Sequence, residues 1–290
     1  MKEAVTIKNG VRLKRAVKIV RKKVHNQDAL NDKIQAEFDH EVSIWRYLQH
    51  DHVLPLLEVY DTPFATYCFT QLTTGGTLFN LVKANREGLP THLAQKFSRQ
   101  LASAIRYLHE DVRIVHRDIK LENCLIDISD DPQGNLLLCD FGMAEQMPGS
   151  NDDESDCENA GYDGQRVSKR NDVAHHVTLL KGSLQYASPE MVSSQATPLT
   201  SAVDMWAFGV VVFTLHTGFL PFNHALPAKL QMLIQAGDWD VEAFKNSRAL
   251  RKNRHLGEMT FTVVKGCLHM NPEFRYTIGM VLESEWFEDA

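Results

Sequence analysis

His116–Asn123 reads HRDIKLEN, and Asp140-Phe141-Gly142 follows it. Asp118 and Asn123 share one loop, whereas Asp140 comes directly after the apolar stretch Leu136–Cys139, which reads as a short strand. A second short strand is expected around Asn123–Asp127. Upstream, Leu93–His109 places Phe97, Leu101, Ala104, Ile105 and Leu108 at helical spacing. Downstream, helical patterns dominate. The run Ala207–Leu215, interrupted by Gly209 and Thr214, reads as a buried helix. Toward the N-terminus the character changes. Ala16–Val20 (AVKIV), Val53–Tyr60 and Thr66–Gln71 read as strands. Asp28–Leu48 carries Ile34, Phe38, Val42, Trp45 and Leu48 at helical spacing. Thr73–Gly76 is a polar, glycine-containing break and reads as a hinge. Strands first and helices later argue for an α+β chain with a small β-rich lobe over 1–72 and a larger helical lobe over 73–290.

Bulk properties exclude several classes. The chain has 290 residues, 43% apolar and 23% charged, ordinary values for a globular protein. Its net charge of −6 gives no support to nucleic-acid binding. The basic segment Met1–Val24 reads as a solvated strand surface. Five cysteines, Cys68, Cys124, Cys139, Cys157 and Cys267, show no metal-ligand spacing and suggest a reducing compartment. The longest apolar run is too short to span a bilayer, and no apolar N-terminal stretch resembles a signal peptide. The expectation is a cytoplasmic or nuclear protein without membrane contact. Gly149–Gln165 (GSNDDESDCENAGYDGQ) is acidic and nearly free of apolar residues, so it is expected to be a disordered insertion.

The polar residues around the opening motif are of the types that phosphoryl transfer uses. Phosphoryl transfer asks little covalent work of a protein. It needs the nucleotide positioned, its charge neutralised by Mg2+, and the acceptor hydroxyl oriented. Asp118, Asn123 and Asp140 supply two carboxylates and an amide for those tasks.

These motifs, in this order along nearly the whole chain, resemble the catalytic domain of eukaryotic-type serine/threonine protein kinases. HRDIKLEN, GSLQYASPE and GVVVFTLHTGFLPF are closest in style to the calcium/calmodulin-dependent and AMP-activated kinase-like group. The resemblance implies a bilobal protein-kinase fold that uses ATP and Mg2+ and acts on Ser/Thr hydroxyls of protein substrates. It makes Asp118 the catalytic base, Asn123 and Asp140 the Mg2+ ligands, and Lys120 the lysine that neutralises charge on the transferring group. Lys18 would be the strand lysine that grips the phosphates. Glu41 would be its helix partner, with Glu37 one turn earlier as the rival. Thr70 would be the gatekeeper residue, Gln71 and Leu72 would offer backbone groups to adenine, and Ala16 and Leu125 would flank the ring. Glu190 is expected to pair with Arg275, and Asp204 to anchor the backbone of the catalytic loop.

The sequence also departs from the family pattern. No G-x-G-x-x-G-x-V loop precedes Ala16, and Gly10 is the single glycine there. Either the chain is an N-terminally incomplete piece of an ordinary kinase, or it is a pseudokinase or scaffold with impaired ATP use. The retained Lys18, Glu41, Asp118, Asn123 and Asp140 favour the first. The segment from Asp140 to Glu190 is long. Arg117, next to Asp118, implies control through an activation-loop phosphate added by an upstream kinase. Thr178 is the nearest candidate acceptor, with Leu179 at the usual position; Asp172 or other acidic residues could hold the loop instead. Thr77 stands where basophilic kinases carry glutamate, leaving Glu122 to read a basic residue.

Overall fold

The computed structural model of the protein describes residues 1–8, 10–22, 29–147, 184–193 and 200–288. The expectations placed on Gly149–Gln165, Cys157, Asp172 and Thr178 fall outside them. Two lobes are built from the two kinds of pattern. The N-terminal one is a four-stranded antiparallel sheet of β1 (Lys2–Lys8), β2 (Val11–Arg21), β3 (Leu56–Asp61) and β4 (Ala65–Gln71), in the order β1-β2-β4-β3. Gly10 at φ 79° lies between β1 and β2, in a conformation that L side chains rarely adopt. Thr66, Cys68 and Thr70 of β4 are buried, at the period of 2 that one sheet face requires.

Helix α1 (Ala29–Trp45) buries Phe38, Glu41, Val42 and Trp45, one face at helical spacing, and exposes Glu37 and Asp39. The strand expected over Val53–Tyr60 is split. Residues 52–54 pair with Leu138 instead, through Leu54 N–H to the Leu138 carbonyl and Leu138 N–H to the His52 carbonyl, both at 2.9 Å. The sheet strand begins only at Leu56. Pro55 explains the break, because it has no N–H to give a ladder.

The larger lobe is helical. Among the described residues it contains α2 (Leu78–Ala84), α3 (Thr91–Arg106), α4 (Pro189–Val192), α5 (Ala202–Thr217) and six further helices ending with Glu285–Glu288. Thr77 caps α2 and forms a reciprocal capping box with Asn80. The helix expected to run to His109 is α-helical to Arg106 and then widens into a π turn, Tyr107–Asp111. Helix α5 is buried from Val203 to Thr217, which is why its sequence is apolar all round. Its C-terminal Gly218 has φ 83°, and a Cβ there would stand 2.3 Å from the Arg86 carbonyl oxygen, so only glycine fits. Two small two-stranded sheets sit at the lobe boundary: β5 (Ile114–Val115) against β8 (Glu145–Gln146), and the hairpin of β6 (Cys124–Asp127) and β7 (Asn135–Leu138). Among the described residues no helix is long and apolar enough to cross a membrane.

One buried ion pair ties α4 to the C-terminal part. Arg275 donates to both Glu190 oxygens, at 2.6 and 3.0 Å, and to the Ala202 and His269 carbonyls. Its guanidinium lies 5.1 Å from the Trp206 ring centre. The pair forms with the bidentate geometry in which such a contact is strong.

His216 of α5 is fully enclosed, and neither ring nitrogen has a hydrogen-bond partner among the described residues. Burial holds its pKa down at about 4. The unfolded chain therefore binds a proton near the ordinary value of about 6.5 and the folded chain does not. Stability carried by this group is complete above pH 6.5 and is lost as pH falls toward 4. Urea unfolding at pH 7 and pH 5 should show a loss of about 2 kcal/mol from this residue, and His216→Leu should remove that increment.

Candidate active site

The site lies where the N-terminal sheet, α1 and the two small two-stranded sheets converge. Lys18 sits in the middle of β2, opposite Cys68 of β4. Its Nζ donates to both Glu41 carboxylate oxygens at 2.6 Å and rests 5.4 Å from the Phe38 ring centre. Glu37 lies on the exposed face of α1, so of the two glutamates only Glu41 meets Lys18. Burial pushes the Glu41 carboxyl up; Lys18 opposes this, and the Asp140 charge adds to the rise. A carboxylate and an ammonium in this position hold each other against desolvation.

The HRDIKLEN segment follows β5 and runs into a 3-10 turn, Leu121–Asn123, before β6. Its backbone is fixed by Asp204 of α5, whose carboxylate accepts the N–H groups of His116 (2.8 Å) and Arg117 (2.7 Å) and meets His109 Nε2 at 2.8 Å. Burial alone would raise the Asp204 pKa, but the bonds from the His109 ring and the His116 backbone N–H outweigh it and hold the carboxyl below the usual range. His116 Nδ1 accepts the Asp118 N–H at 3.3 Å, so its Nε2 carries the proton and donates to the Cys139 carbonyl at 3.2 Å. The ring also meets Phe141 edge-on, 5.1 Å between centres. Thus one imidazole links the loop of Asp118 to the segment of Asp140.

Asp118 is buried. Its Oδ2 accepts from Lys120 Nζ at 2.6 Å and from Asn123 Nδ2 at 3.0 Å, and the same amide donates to the Asp118 carbonyl at 2.8 Å. With its NH2 so engaged, the Asn123 amide oxygen is left for a cation. Asp140 has φ 72°, the left-handed region, and stands beside Gly142. A Cβ on Gly142 would lie 3.5 Å from Asp140 Oδ1 and 3.8 Å from Glu41 Oε2, so the two carboxylates flank this glycine. The hard oxygens of Asn123 and Asp140 fit Mg2+, which takes one or two protein oxygens and completes its shell with phosphates and water. Among the described residues no group of three or more His, Cys, Asp or Glu could hold a metal alone.

The remaining candidates lie on the hinge side. Ala16 pairs with Thr70 across β2 and β4; both are buried. Thr70 Oγ1 donates to the Gln71 carbonyl at 3.2 Å. Leu72, half-buried, follows β4 directly. Leu125 of β6 bridges to Thr77, and Gly75 and Gly76 exchange backbone bonds with Ile126. Two contacts here were not foreseen. The Gln71 side chain donates to Asp127, and Glu145 pairs with Arg117. For Glu145 the available signal was a carboxylate placed shortly after Asp140; for Asp127 it was an acid ending a strand otherwise apolar.

A family profile described as "Protein kinase domain" matches residues 5–287, and the chain belongs to that family. Among its relatives are "CBL-interacting serine/threonine-protein kinase 7" of Arabidopsis thaliana, 29% identical over 95% of this chain and 54% of the relative. "CBL-interacting protein kinase 29" of Oryza sativa subsp. japonica is 31% identical over 88% of this chain and 48% of the relative. "SNF1-related protein kinase catalytic subunit alpha KIN12" of Arabidopsis thaliana is 27% identical over 94% and 46%. The chain spans about half the length of these relatives. These matches agree with the resemblance to the calcium/calmodulin-dependent and AMP-activated-like group.

Cys139, next to Asp140, tests the electrostatics of the site. Burial, then the Asp140 charge, push its thiol up to about 12. Iodoacetamide at pH 8 should modify Cys139 of the folded chain roughly 10³-fold more slowly than an ordinary cysteine, because so little thiolate forms. Peptide mass mapping before and after urea unfolding checks this.

Proposed function

We propose that this chain is an ATP- and Mg2+-dependent serine/threonine protein kinase. The observation that carries the reading is the Asp118 carboxylate, held by Lys120 and Asn123 in a loop whose backbone Asp204 fixes. The base is oriented before any substrate arrives, and no reorganisation is needed when charge moves.

Mg2+-ATP, when bound, supplies the transferable γ-phosphoryl group. Asp118 orients the acceptor Ser or Thr hydroxyl and takes its proton at a carboxylate oxygen as the new O–P bond forms and ADP departs. Lys120, beside that carboxylate, lowers the negative charge facing the phosphoryl oxygens. Asn123, through its amide oxygen, and Asp140 would hold Mg2+. Lys18, kept in place by Glu41, would grip the α- and β-phosphates. Thr70, Ala16 and Leu125 would line the adenine side, with backbone groups of Gln71 and Leu72 meeting the base. The partners this reading needs are protein substrates; an upstream activating kinase, with Thr178 as the nearest candidate acceptor, is compatible with it, and nucleic acid and membrane have no part in it.

Phosphate transfer from Mg2+-ATP to a Ser/Thr peptide tests the proposal. Asp118→Asn should lower kcat by about 10³-fold with ATP binding preserved, since a general base contributes on that scale. Lys18→Met should weaken ATP binding as well as turnover. A chain that binds ATP and transfers nothing, with or without native upstream sequence, would instead be a pseudokinase acting through binding.

A further inference from the structure

Arg117 is the residue before Asp118, and its side chain is 5% exposed. A guanidinium cannot shed its proton to escape burial, so it must find a counter-charge. Among the described residues two carboxylates act on it, Glu145 and Asp204. Asp204 is already committed to the His116 and Arg117 backbone N–H groups and to His109. Glu145 Oε2 accepts from Arg117 Nη1.

The placement of Glu145 is what gives this pair meaning. Asp140, Phe141 and Gly142 lead through Ala144 into β8, whose first residue is Glu145. Glu145 pairs with Val115 of β5, and the Met147 N–H donates to the Arg113 carbonyl at 2.8 Å. The ion pair therefore closes a ring between the segment that carries Asp140 and the loop that carries Asp118. Both ends of the ring have costly backbone: Arg117 has φ 67° and Asp140 has φ 72°. Such conformations persist only where surrounding contacts over-determine them. Further along the same segment, His40 Nε2 meets the Ala144 carbonyl at 3.0 Å, so α1 is tied in beside the pair.

We propose that Glu145 is a positioning residue: its carboxylate is a resident counter-ion for Arg117 that fixes the distance between Asp118 and Asp140. The sequence led to an activation-loop phosphate as the partner of Arg117. A carboxylate carried by the chain itself occupies that role in part, so alignment of the two aspartates does not wait wholly on phosphorylation. This rests on the kinase reading for its consequence in turnover, but not for its consequence in backbone order.

The test uses the full chain and two readouts. In peptide phosphorylation, Glu145→Gln should lower kcat at least tenfold with KM for ATP within twofold of wild type. Glu145→Asp should recover a substantial part of the loss, and phosphatase treatment of the wild type should reduce its rate less than the Gln substitution does. In hydrogen exchange, Glu145→Gln should speed exchange at least tenfold at Arg117 N–H and Met147 N–H together, and at sites in the sheet not at all. Unchanged exchange at those two amides overturns the proposal whatever the activity. So does a Gln variant with wild-type kcat in an active enzyme, or one that loses stability throughout the chain and is not rescued by Asp. If the wild type transfers no phosphate while the exchange result holds, the kinase reading fails and the positioning role stands.

Discussion

Everything at the centre of this protein hangs from one carboxylate sealed inside the larger lobe. Asp204 sits in the first turn of the most buried helix, where burial alone would drive it neutral. It stays ionised because it accepts two backbone N–H groups and the His109 ring. Hydrogen bonds to an ionised acceptor are the strong ones, and a low-dielectric setting makes them stronger. The direction of dependence matters. The loop of Asp118 has little regular structure of its own, so its shape is imposed by α5. That helix is in turn held by its packing against α3 and by the Gly218 turn.

From this anchor the constraint spreads through single side chains rather than through long elements. His116 passes it to the Cys139 carbonyl and to Phe141, and Phe141 passes it to Trp45 of α1, 6.3 Å between ring centres. Trp45 donates to the Leu54 carbonyl at 2.6 Å. Glu41 is one turn back on the same helix, and Lys18 reaches it from the sheet. A row of packed groups thus connects the Asp204 carboxylate to the Lys18 ammonium across both lobes.

Much of this was legible in the sequence because the relevant patterns are local. The periodicity of α1 put Phe38, Val42 and Trp45 on one face, and the same period puts Glu41 there too. The apolar run of α5 announced its burial. Contacts that depend on tertiary pairing were not legible. Nothing local says that residues 52–54 leave the sheet for Leu138; Pro55 is the one hint, since it cannot donate to a ladder. The π turn after Arg106 leaves no trace in hydrophobic spacing. Glu145 and Asp127 look like ordinary surface acids until β8 meets β5 and the hinge meets β6.

The docking of residues 52–54 on Leu138 has a mechanical meaning. The end of α1 nearest Trp45 is fastened to the larger lobe, through Leu54 and the short pairing with β7, whereas Glu41 contacts the sheet through Lys18. Helix α1 thus takes its position from both lobes at once: the larger lobe holds it at the Trp45 end and the sheet holds it at Glu41, so the Lys18–Glu41 contact registers how the two lobes are set against each other.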